Sequence, residues 1–142
     1  MSGAKGRTKP PVDAEAMRAV VLRLLGPDAE LPTYEEAHDL ILELRGHVML
    51  LIPEVEQRAE RLPRDDVPRA CALACLGEAR RRLSVEAGPG LPAAVAHSQR
   101  LARSVNALLD HVTNLSSGVP ELGCPTSAVA LGEGTKTRQG PA

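Results

Sequence analysis

The side chains with the widest chemical repertoire in this chain of 142 residues are its three cysteines, Cys71, Cys75 and Cys124, and its four histidines, His38, His47, His97 and His111. Cys71 and Cys75 stand four apart, so on a helix they share a face. Two thiolates at that spacing could begin a zinc site, but a closed site takes four protein ligands, or three and water, and no second Cys or His pair lies nearby. A nucleophilic cysteine would need a histidine within reach and positive surroundings; the sequence places neither at Cys71 or Cys75. Buried cysteine is a common small core residue, and packing is the expectation for both. His97 and His111 are two heptads apart, on one helical face but separated by about 21 Å, too far to share a metal. His47 flanks the seam of its own helix, which makes it a candidate for a pocket with either of them. Glu35 and His38 have the Glu-x-x-His spacing of di-iron bundles, which require a second such repeat and two further carboxylates. One repeat is present, so Glu35, Glu36, Asp39 and Glu43 are expected to form a solvated acidic face. No phosphate loop, nucleophile elbow or dinucleotide fingerprint occurs. The expectation is therefore no catalytic residue, no metal and no cofactor.

Arginine is the other candidate. It outnumbers lysine 14 to 3, a bias that GC-rich codons produce without any ligand. Its placement carries more meaning. Residues 12–66 hold 13 acids against 6 Arg, and residues 67–115 hold 3 acids against 6 Arg, so a net charge of −7 is followed by one of +3. This polarity predicts attraction between the two halves, within one bundle or across a symmetric dimer. Alternatively Arg80, Arg81, Arg82, Arg100 and Arg103 form a patch for an acidic partner or nucleic acid. Three consecutive arginines span about 200° of a helix, so Arg80 to Arg82 cannot all face one groove. The candidates for a pocket or an interface are thus His47, Cys71, Cys75, Arg80, His97, Arg100 and Arg103.

These residues must be positioned by helices, because the apolar periodicity is helical throughout. The first helix is capped by Asp13, aligns Met17, Val20, Val21, Leu24 and Leu25, and stops at Gly26-Pro27. The second opens with a capping box, Thr33 to Glu36, and keeps two heptad seams, Ile41-Val48-Val55-Leu62 and Ala37-Leu44-Leu51-Arg58. Pro53 lies inside it with the stripe in phase on both sides, which predicts a kinked or restarted helix without a change of direction. The third follows Pro63-Arg64-Asp65-Asp66, with Asp66 or Val67 as its cap and Pro68 in the first turn, where its missing N–H costs nothing. Its run Ala70-Cys71-Ala72-Leu73-Ala74-Cys75-Leu76-Gly77 is small or apolar all round, the pattern of a central helix. Gly88-Pro89-Gly90 ends that stretch. The fourth begins near Pro92 with Ala94, Ser98, Leu101, Val105, Leu108, Val112 and Leu115 spaced by four and three. The expected fold is all-α, an antiparallel bundle of about four helices over residues 12–115, with disordered tails at 1–11 and 116–142.

Composition narrows function further. One tyrosine and no Phe or Trp leave no stacking platform for bases or sugars. A net charge of −1 gives no bulk attraction to nucleic acid or anionic membrane. No stretch is apolar and long enough for a signal peptide or a span, so a cytoplasmic protein with reduced thiols is expected.

Two strings, Arg45-Gly46-His47-Val48-Met49-Leu50-Leu51-Ile52-Pro53-Glu54-Val55-Glu56 and Asp66 to Arg80, resemble a small family from antibiotic-producing filamentous bacteria that carries the label natural product biosynthesis protein. The similarity continues through Gly88 to Pro92 and Arg100 to Arg103. It implies association with secondary metabolism and lends no reaction or residue role. The expectation is an accessory or regulatory helical protein that binds a protein partner or a second copy of itself. A small helical enzyme or carrier with an apolar metabolite between helices, using His47 and Cys71 or Cys75, is the alternative. A DNA-associated regulator using the arginine-bearing half is a weaker one.

Overall fold

A computed structural model of the chain describes residues 12–117, with side chains as far as residue 115. The tails expected to be disordered, and Cys124 with them, lie outside the described residues except for Ser116 and Ser117, which continue the last helix. The described chain is an antiparallel bundle of four helices: α1 (Ala14–Leu25), α2 (Tyr34–Glu60), α3 (Val67–Ser84) and α4 (Leu91–Ser117).

Local chemistry sets each boundary. The Asp13 carboxylate accepts from the Ala16 amide at 3.1 Å, satisfying one of the free donors at the start of α1. At its other end the Gly26 amide donates to the Leu22 carbonyl at 2.9 Å. A Cβ at Gly26 would lie 2.6 Å from that oxygen, so the closing turn needs glycine. The capping box of α2 is complete: Glu36 N–H donates to Thr33 Oγ1 at 3.1 Å, and Thr33 N–H donates to Glu36 Oε1 at 2.9 Å. This helix runs through Pro53 as one element and does not restart. Its heptad seams are buried from Ala37 to Val55, and Ala59 takes over where Arg58 leaves the core. Asp66 accepts from the Arg69 amide at 3.0 Å, with Pro68 in the first turn of α3. Gly90 adopts φ +93°, a left-handed turn that favours glycine, and its carbonyl receives the Ala94 amide as α4 begins.

The core is made of Leu, Val, Ile, Ala, Met17 and Cys75. α4 touches all three other helices and packs most extensively on α2. α3 lies against both, α1 mainly against α4, and among the described residues α1 and α3 do not touch. In cross-section α2 and α4 form the short diagonal of a rhombus, with α1 and α3 at its far corners. The central position expected for α3 therefore belongs to α4, which buries a broad sector including Val95, Ser98, Leu101, Ala102, Val105, Leu108 and Leu109. α3 buries one narrow side, Ala72, Cys75, Leu76 and Ala79, and exposes Val67, Ala70, Leu73 and Ala74. Alanine leaves little apolar surface in water and favours helix wherever it sits, so a small-residue run does not mark a surrounded helix.

Attraction between the acidic and basic halves is used sparingly. Arg80 pairs with Glu56, joining α3 to α2 in the expected sense. Arg18 runs the opposite way, from α1 to Asp110 at 3.2 Å and to Asn106 at 2.8 Å on α4.

Candidate functional site: an arginine-lined groove between α3 and α4

The heptad register of α3 turns Ala74, Cys75, Glu78, Arg81 and Arg82 toward one side, and α4 answers with Arg100, Arg103, Ser104 and Ala107. Together they line a solvent-open groove of about 470 Å³. The two helices run in opposite directions, so Ala74 and Ala107 form a small apolar end and Arg82 and Arg100 a basic one. Cys75 and Ser104, both buried, make the floor.

Four guanidiniums and one carboxylate give the groove a net charge of +3. Glu78 receives both Arg81 and Arg82 from its own helix, the latter at 2.8 Å. The hydrogen bond from Arg81 outweighs burial and, with the nearby positive charge of Arg82, holds the Glu78 carboxyl below its usual range. One acid thus serves two arginines. Arg100 and Arg103 make no ion pair among the described residues. A positive field at this end is also felt by His97, whose pKa is pushed below 6.5 first by burial and then by Arg100, Arg45 and Arg82. Burial and these positive charges both favour the neutral imidazole of His97.

The structure divides the candidates of the sequence. Cys75, Arg100 and Arg103 meet in the groove. Arg80 does not, since its ion pair with Glu56 turns it toward α2, as the angular spread of three consecutive arginines requires. Cys71 is half-buried one turn before Cys75 and outside the groove lining. His97, only 2% exposed, lines a different depression of about 330 Å³ beside His38, Arg45 and Glu86. Arg45 there donates to the Leu83 carbonyl at 2.8 Å, tying α2 to the end of α3. His47 stays on α2, its Nε2 3.7 Å from Glu43 Oε2 and without a hydrogen bond among the described residues. His38 is exposed and edge-on to Tyr34, with ring centroids 4.6 Å apart. No group of three or more His, Cys, Asp or Glu among the described residues is placed to hold a metal ion. No described helix is long and apolar enough to cross a membrane.

The candidates read from the sequence did not include Ala74, Glu78, Arg81, Arg82, Ser104 or Ala107, although Arg81 and Arg82 stood in the alternative arginine patch. The signal was present in the i, i+3, i+4 spacing of 100, 103, 104 and 107, but it acquires meaning only once α3 is known to lie alongside α4.

Residues 15–117 match the model of a family of unknown function, DUF6415. The chain belongs to this family. The match covers the four helices apart from Ala14 and includes every residue of the DUF6415 groove. No curated protein and no solved structure matches the chain.

Proposed function

We propose that this DUF6415 chain is a non-enzymatic accessory or regulatory protein that acts through protein–protein contact, in the setting of natural product biosynthesis. The observation that carries the contact reading is the α3/α4 groove, which has a small apolar end at Ala74 and Ala107 and where Arg100 and Arg103 make no ion pair among the described residues. Charges left unneutralised at the rim of a partly apolar groove steer and orient an oppositely charged protein surface. The groove lining contains no histidine and offers one thiol, Cys75, so its chemistry is that of recognition. The biosynthetic setting is supported by the resemblance of Arg45 to Glu56 and Asp66 to Arg80 to proteins bearing that label.

The test is affinity capture from the cells that make the protein, comparing the tagged chain with an Arg100→Glu, Arg103→Glu variant. A protein retained by the first and lost by the second is expected, together with reduced product formation at unchanged protein level in cells carrying the variant. Identical captured sets would sink the contact reading, and turnover of a metabolite by the purified chain would make it an enzyme.

A further inference from the structure

We infer that the occupant of the α3/α4 face is an acidic amphipathic helix of a partner protein, seated along α3 with its carboxylates on Arg81, Arg82, Arg100 and Arg103. This rests on the reading of the chain as a protein-binding module.

The groove is one half of a longer track. α3 continues from Ala74 back to Val67, exposing Val67 and Ala70 on the same side. From Val67 to Arg82 the helix rises about 22 Å, or four turns. The first half of that track is small and apolar, and the second half carries the groove's net charge of +3. Small side chains at Ala70, Ala74 and Ala107 let another helix approach closely, and a helix fits the shallow trough between two others by packing ridges into grooves. Its apolar positions would cover Ala70 and Ala74. Carboxylates one turn apart would meet Arg100 and Arg103, themselves one turn apart on α4.

Charge complementarity selects this occupant over others. A nucleic acid would find the positive end, but half of the track offers it an apolar surface, and Glu78 already neutralises part of the charge. A second copy of the chain could offer the acidic first half of α2, with Glu35, Asp39 and Glu43 exposed around Leu42. However, α2 turns its buried seam toward α4, so its exposed acidic side points away from α4 and lies on a different side of the bundle from the α3/α4 groove. Joining the two would stack copies head to tail without closing a two-fold dimer.

Binding to the full chain is measured by fluorescence anisotropy with three labelled probes. The first is a synthetic helix of about four turns with glutamates in one half and Ala and Leu along one face of the other. The second is the same composition scrambled, and the third a short DNA duplex. The first probe is expected to bind saturably, more tightly than the scrambled peptide, and less so as salt rises. Arg100→Glu with Arg103→Glu should weaken it at least about ten-fold, and Ala70→Glu, on the exposed side at the apolar half, should weaken it as well. Each altered side chain is exposed, and circular dichroism confirms that the variants keep their fold. No saturable binding of the first probe, equal binding of the scrambled peptide, or indifference to both variants overturns the inference. So does tighter binding of the duplex, or a doubled mass of the chain alone that falls on the double reversal. If the probe fails while cellular capture still depends on Arg100 and Arg103, the helical occupant is wrong and the contact reading stands.

Discussion

His111 is 3% exposed, and its Nε2 has no hydrogen-bond partner among the described residues. Burial pushes its pKa below 6.5, while the neighbouring Asp110 pulls weakly the other way; His97 is shifted in the same direction. The unfolded chain therefore takes up these protons first. Stability from the two neutral imidazoles is fully present above about 6.5 and is lost as pH falls through that value toward the folded-state pKa values. Urea denaturation at pH 7.5 and pH 5.5 should show this loss, and His111→Gln, which stays neutral, should make it shallower; equal pH dependence in the two proteins would refute the assignment. Leu108 is fully buried in α4, so Leu108→Ala should lower unfolding free energy by about 2–5 kcal/mol in the same assay. The seam of α4 was legible at this scale because leucine and valine every three or four residues announce burial. The pairing of Arg80 with Glu56 was not, since the sequence showed that the three arginines must diverge but not which one turns to α2.

At the scale of the helix, local rules explain the boundaries and fail at the packing. Asp13, Thr33 with Glu36, and Asp66 are capping residues in the sequence and in the structure alike, because a cap is decided within one turn. The position of α3 depends on what its neighbours cover, which no window along the chain contains. The groove was half visible for the same reason: the basic character of α4 could be counted, but its alignment with Glu78 and Arg82 is a product of topology. Gly46 gives a test confined to this scale. It sits in the exposed middle of α2, where an added Cβ would meet nothing within 4 Å, so Gly46→Ala should raise stability by about 0.5–1 kcal/mol through the reduced freedom of the unfolded backbone. A fall in the thermal midpoint would show that the glycine is needed for something else.

For the whole molecule the rhombus predicts an order of opening. α1 is held essentially by α4 and by the Arg18 link to Asp110 and Asn106, whereas α2 and α4 share the longest seam. In native-state hydrogen exchange the interior amides of α1 should exchange before those of α2 and α4, in a step smaller than global unfolding; uniform protection across all four helices would contradict it. The sequence supplied the helix count but not this hierarchy, which depends on which pairs of helices meet. The missing contact between α1 and α3 has one more consequence. Substitutions on the outer sides of these two helices share no neighbour, so a double-mutant cycle between them should give a coupling energy near zero. The rim where a partner is proposed to sit can then change its sequence without retuning α1, and α1 can drift without altering what the rim recognises.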